Sequence, residues 1–127
     1  EPGRFWPLEL TNKLGENAMS MYIITVCYTA NSVKGMIAEP SDRAEAVRPL
    51  VEATGGKMVS FLVTTGDTDF SMVVESDDQE GLMAALMAAA ATGTVSNLKT
   101  VQAFSSADFM AAQKRAGQIA ASFKPAG

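Results

Sequence analysis

The 127-residue chain contains no histidine. This excludes the Ser-His-Asp and Cys-His catalytic constellations, the usual His-containing zinc sites, a His-ligated haem and histidine as a general acid or base. There is a single cysteine, Cys27, so no disulfide can form within the chain. Cys27 lies in an apolar, strand-like run with no cationic neighbour to activate its thiol, and is expected to be a small buried hydrophobe. Positive charge is scarce too: 10 Lys and Arg stand against 14 Asp and Glu, for a net charge of −4. The basic residues are scattered, so neither a phosphate track nor a patch for anionic lipid is present, and no nucleic-acid or membrane partner is expected. No apolar run approaches the roughly 20 residues of a membrane helix. The stretch Leu82 to Ala91 comes nearest, and it is short and Ala-rich.

What is present reads as one folded domain. The hydrophobic fraction is 47% and the charged fraction 19%, the balance of a globular chain and not of a disordered one. Residues 1–18 stand apart, with Pro2, Gly3, Pro7 and Gly15 beside Phe5, Trp6 and Leu8. They lack the basic start and apolar stretch of a signal peptide. They are expected to form an N-terminal arm packed on its own domain or on a neighbouring subunit, with the domain proper spanning residues 19–127. A cytoplasmic location is the working expectation.

Along the domain, Met21 to Thr29 is rich in β-branched and aromatic residues and predicts a first strand covered on both sides. Ala30 to Ala38 predicts a short helical turn capped by Asn31 or Ser32. After Pro40, a first main helix is expected to start at Ser41. It presents Ala44, Val47, Leu50 and Val51 on one face and stops at Gly55-Gly56. Lys57 to Thr65 and Asp69 to Ser76 predict a hairpin joined by a tight Gly66-Asp67 turn, with Val59, Phe61 and Val63 sharing a face. A second main helix over Gln79 to Ala91 carries a stripe of Leu82, Met83, Leu86 and Met87 and closes at Gly93. Val95 to Phe104 predicts a fourth strand, and Ala107 to Phe123 a last helix capped by Ser105 or Ser106.

The order β-α-β-β-α-β with an extra C-terminal helix is the ferredoxin-like α+β pattern, a four-stranded antiparallel sheet. Right-handed crossovers put both main helices on one face. The other face, carrying residues such as Val73, is left open and apolar, and a second copy of the same sheet would cover it. A homodimer or larger homo-oligomer is therefore expected, with the arm as a further means of assembly.

The segments from Tyr22 to Met36 (YIITVCYTANSVKGM), Arg43 to Lys57 (RAEAVRPLVEATGGK) and Phe61 to Ser76 (FLVTTGDTDFSMVVES) resemble the GYD-domain family of small bacterial and archaeal proteins. The likeness runs from about Met21 to about Phe109. The family's Gly-x-Tyr-Asp motif is matched at Gly66 and Asp69, with Thr68 where the motif has Tyr. The resemblance implies a ferredoxin-like fold of the dimeric α/β-barrel type. Barrels of that type include cofactor-free monooxygenases, muconolactone isomerase-like enzymes and haem proteins, an analogy of fold that brings no reaction with it.

Candidate site residues fall into three groups. At the hairpin, Gly66 would allow a close approach and Asp69 would aim a carboxylate into the space between sheet and partner. Turn chemistry accounts for the same two residues, and a Thr68 hydroxyl lacks the reach of a phenol. Tyr22, Tyr28, Ser71, Glu75, Asn97 and Lys99 are polar or amphipathic positions within apolar strands. They would line a small pocket if they share an interior, or else lie at strand ends and edges, with Glu75 and Lys99 as a cross-strand ion pair. Met36, Met58, Met72, Met83 and Met87 would line an apolar ligand site or simply fill the core. The acidic run Asp77-Asp78-Gln79-Glu80 lacks calcium-loop spacing and suits a helix N-terminus. No metal or other cofactor is expected. Two functions follow: a non-catalytic module that binds a small apolar ligand or self-assembles, and, as the alternative, a cofactor-independent oxygenase or isomerase. In the second, Asp69 with Tyr22 or Tyr28 would serve as acid and base.

Overall fold

A computed structural model describes residues 19–126; the expected N-terminal arm lies outside the described residues. β1 (Ser20–Tyr28) is followed by α1 (Ala30–Ala38), α2 (Arg43–Glu52), β2 (Lys57–Val63), β3 (Phe70–Ser76), α3 (Gln79–Ala91), β4 (Val95–Ala103) and α4 (Ser106–Ser122). The strands form one sheet in the order β2-β3-β1-β4, and all three pairings are antiparallel. The α2 crossover carries the chain from β1 over β3 to the far edge at β2. The α3 crossover carries it from β3 over β1 to β4. This is the ferredoxin-like α+β arrangement that the element order predicts.

Local chemistry sets the helix boundaries. Thr29 caps α1 by accepting from Ser32 N–H, in place of the expected Asn31 or Ser32. The Asp42 carboxylate accepts from Ala44 and Glu45 N–H and caps α2, which starts at Arg43, two residues after the expected Ser41. Asp78 and Ser105 cap α3 and α4 in the same way. Each such cap contributes about 1 kcal/mol. Gly55 and Gly93 take positive φ, 81° and 77°, just beyond α2 and α3. A side chain there would clash with its own backbone, so glycine is what permits the sharp stop.

The core lies between the sheet and its two crossover helices. Tyr22, Ile24 and Val26 of β1, Phe70, Met72 and Val74 of β3, Met58 of β2, Val51 of α2 and Leu82 of α3 are all buried, and Ala44, Val47 and Leu86 pack against them. Burying each of the larger side chains contributes about 1.5–3 kcal/mol. Ser76 is fully buried, and its hydroxyl bonds both the N–H and the C=O of Asp78.

Two bulges decide which side chains reach this core. Met58 stands opposite Val74 and Ser60 opposite Val73, so β2 carries one extra residue, Val59. The extra residue shifts the alternation. Met58 and Phe61 therefore share the covered face and Val59 is exposed, which corrects the expected Val59-Phe61-Val63 set. β4 has a second bulge at Asn97, whose φ is +52°; it lets both Val95 and Leu98 pack against the core. On α3 the buried positions are Leu82 and Ala85, while Met83 and Met87 are exposed, so the expected Met stripe is rotated off the core. The hairpin connection is also longer than a tight turn. It spans residues 64–69 and is closed by Thr64 N–H donating to the Asp69 carbonyl at 2.9 Å.

Among the described residues no helix lies over the opposite sheet face. Register places Ser60, Val73, Ile23 and Val101 in one row and Leu62, Ser71, Thr25 and Lys99 in the next. Ile23, Leu62 and Val101 are exposed in the single chain. α4, 17 residues long, contains no buried residue and leaves Phe109, Met110 and Ile119 exposed, as is Phe123 just beyond it.

Candidate functional site: a cavity under the crossover helices

Near the C-terminal end of β1, the covered face is not completely filled. A cavity of about 210 Å³ lies between α2, α3 and the sheet. Val26 and Tyr28 of β1 and Phe70 and Met72 of β3 form its floor. Val47 and Leu50 of α2 and Leu86 of α3 form its roof, and Leu98 and Val95 of β4 one side. The floor is stiffened by an aromatic row. Phe61 stacks on Phe70 with centroids 4.7 Å apart, and Tyr28 tilts against Phe70 at 5.2 Å. Aromatic pairs of this kind add about 0.5–1.5 kcal/mol each beyond area burial.

One end of the cavity is polar. Ser32, Arg43 and Thr94 line both this cavity and a surface groove between α1 and the start of α2 that also holds Asn31, Glu39 and Ser41. Arg43 thus stands at a mouth connecting the apolar interior to the surface. The Tyr28 hydroxyl and Arg43 Nε are both buried, and neither has a hydrogen-bond partner among the described residues. Burial raises the Tyr28 phenol above its ordinary pKa. The neighbouring Arg43 guanidinium opposes that rise, through its charge and a side-chain contact, and the Asp69 carboxylate adds to it. The Tyr28–Arg43 contact falls short of a well-formed hydrogen bond, since the phenol oxygen remains unpaired. With its proton held more firmly, Tyr28 is a donor at neutral pH and not a base.

Arg43 is absent from the sequence-based candidates, yet it carries a signal. It is the first residue of α2, where the helix dipole disfavours a cation. A residue that breaks a local rule in this way points to a use elsewhere.

The sequence-based candidates separate into three places. Tyr22 and Tyr28 lie on the covered face. The Tyr22 hydroxyl is also buried without a partner, beside a shallower cavity of about 290 Å³ lined by Gln79, Leu82, Met83, Leu86, Thr100 and Gln102. Gly66, Thr68 and Asp69 sit in the hairpin connection. A Cβ on Gly66 would meet nothing within 4 Å, so no close approach depends on this glycine. The Thr68 carbonyl accepts from the Thr64 hydroxyl at 2.7 Å. The Asp69 carboxylate accepts from Tyr28 N–H at 2.8 Å, and Asp69 N–H donates to the Val26 carbonyl at 2.9 Å. Asp69 therefore ties the hairpin to the end of β1 and lines none of the cavities described here.

Ser71 and Lys99 lie on the open face, in register with Thr25 on either side. Asn97 reaches Cys27 Sγ at 3.5 Å, and the thiol in turn donates to the Asp67 carbonyl at 3.3 Å. Cys27 is half-buried rather than a core residue. Glu75 is in register with Met21 and Lys57, and β1 separates it from β4, so the expected Glu75–Lys99 pair is not formed. Of the methionines, Met58 and Met72 are core residues. Among the described residues no group of three or more Cys, Asp or Glu side chains is arranged to hold a metal ion, and no helix is long and apolar enough to cross a membrane.

No curated protein and no solved structure matches the chain. The GYD domain model matches residues 22–112, from the third residue of β1 into α4, and so takes in all of the sheet but Ser20 and Met21, both crossover helices and every residue of the cavity. The chain belongs to the GYD domain family.

Proposed function

We propose that the chain is a small-molecule-binding module, paired as a homodimer through its open sheet face, and that the cavity under α2 and α3 is its ligand site. The observation that carries this reading is the pair of buried, unpartnered polar groups at the cavity mouth, the Tyr28 hydroxyl and Arg43 Nε. A buried polar group left unpaired costs about 1–3 kcal/mol. A ligand that supplies the missing partners offsets that cost. Size agrees with this: an apolar cavity of about 150 Å³ is enough to hold benzene, so about 210 Å³ accommodates one ring with a small substituent.

The enzymatic alternative draws on the same cavity, with Tyr28 as a proton donor to a substrate oxygen. It lacks a base there, because the Asp69 carboxylate is taken up by Tyr28 N–H outside the cavity lining. Binding is the reading the geometry favours.

The test is a titration of methyl-labelled methionines with benzene, followed by NMR. Met72 lines the cavity, whereas Met87 and Met110 are exposed elsewhere. The Met72 methyl is expected to shift saturably while Met87 and Met110 stay in place. An unmoved Met72, or equal shifts at all three, rejects the cavity as a ligand site.

A further inference from the structure

Building on the cavity as the ligand site, we infer that the chemical class it selects is a one-ring or similarly compact apolar carboxylate, held by the side-on edge of the Arg43 guanidinium with the Tyr28 hydroxyl as second donor. The assignment comes from which guanidinium groups remain available. Arg43 Nη1 donates to the Ser41 hydroxyl at 3.1 Å on the surface side. Nε is buried and unpaired. No carboxylate lies within ion-pair distance of Arg43 among the described residues, the nearby ion pair being Arg48 with Glu45. The Nε edge of a guanidinium, with its adjacent terminal nitrogen, offers two parallel N–H donors that match the two oxygens of a carboxylate.

The counter-group and the cavity set the rest of the molecule. One cation with no second basic residue in the lining suits a single negative charge better than a doubly charged phosphate. Phe70, Met72, Val47, Leu50, Leu86 and Leu98 surround the remaining volume and offer no hydrogen bond to a second polar end. Entry is also accounted for. Arg43, Ser32 and Thr94 border both the surface groove and the interior, so an acid arriving through the groove keeps its charged end at the mouth while its ring passes inward.

Benzoate and its uncharged isostere benzamide, titrated against the Met72 methyl signal, separate this inference from the reading beneath it. Benzoate is expected to bind roughly tenfold or more tightly than benzamide, the gain typical of hydrogen bonds to a charged group. Arg43→Gln is expected to lower benzoate affinity roughly ten- to a hundredfold and benzamide affinity by less, because the amide carbonyl loses a neutral partner and the carboxylate a charged one, so the preference for the acid disappears. Arg43→Lys keeps the charge, loses the fork and falls between the two. Equal binding of acid and amide by the unaltered protein, a comparison that needs no variant, overturns the carboxylate assignment and leaves the cavity reading standing. A preference for benzoate that survives in Arg43→Gln overturns it as well. If benzene, benzamide and benzoate all leave Met72 unmoved, both readings fail together.

Discussion

The two faces of this sheet are built from the same strands and meet different fates. On the covered face Ile24 and Val74 are completely shielded; on the open face Ile23, one residue from Ile24, is 37% exposed and Val101 is 58% exposed. Alternation along a strand sends neighbouring side chains to opposite sides, so the difference reflects what lies above each side. The covered face has α2 and α3 and a gap near Tyr28 whose polar groups are unpaired. Among the described residues the open face has no helix over it, and it mixes the exposed apolar Ile23, Leu62 and Val101 with Ser60, Ser71, Thr25 and Lys99. Among the described residues, one face is covered except for a cavity of ligand size, and the other carries no covering layer. On the proposed reading, the first takes a small molecule and the second takes another sheet.

The largest effect that would sharpen this contrast comes from the floor of the cavity. Phe70→Ala removes a buried ring that stacks on Phe61 and meets Tyr28 at a tilt and is expected to cost about 3–5 kcal/mol in denaturant unfolding. A loss below about 1 kcal/mol would mean that the covered face does not carry the fold. On the open face, Val101→Asp is expected to leave the fold of each chain intact while halving the mass seen in sedimentation, because a charge within the proposed sheet-to-sheet interface is left unpaired. A wild-type monomer, or a variant that remains dimeric, breaks that half of the comparison.

Filling the gap gives a smaller and opposite change. Ala89→Met places a flexible side chain toward the cavity from α3 and is expected to raise stability by about 0.5–1 kcal/mol while abolishing the benzene response of Met72. A stabilised variant that still binds benzene would relocate the site. The smallest effect is one of pH. The Tyr28 phenol is raised in the folded chain, chiefly by burial, so the folded state keeps a proton that the unfolded chain releases near pH 10. That contribution is complete below the unfolded pKa and is lost as pH rises through the folded one. Stability of the wild type is therefore expected to fall above about pH 10 more steeply than that of Tyr28→Phe. Parallel curves for the two proteins would show that Tyr28 is not desolvated.

Much of the fold was legible because strong local signals agreed with one another. Asp78 before an Ala-rich apolar run and Gly93 after it bracket α3 at the limits the sequence predicts, Gln79 and Ala91. The two bulges were not legible. An extra residue at Val59 or Asn97 changes which side chains face inward, and a regular alternation pattern carries no mark of it. The α3 stripe was misread for a related reason. A helix that is apolar nearly all round does not announce which side packs, and the sheet chose Leu82 and Ala85 over Met83 and Met87.

The site was half legible. Tyr28 stood out as a polar-tipped residue in an apolar strand. Arg43 did not, because only the crossover brings the start of α2 over the end of β1. The hairpin motif attracted attention through its type, yet Asp69 bonds to backbone and Gly66 stands in open space. Turn residues with a structural job and turn residues with a chemical one look alike in sequence.

The central claim, that the covered face holds a ligand site at its Tyr28 and Arg43 end, is tested most directly by a crystal structure of the protein grown with benzoate. The account predicts the ring between Phe70, Met72 and Leu86, with the carboxylate within hydrogen-bonding distance of Arg43 Nε and the Tyr28 hydroxyl. A cavity left empty at saturating benzoate, with the Tyr28 hydroxyl and Arg43 Nε still unpaired or bonded to each other, would contradict it.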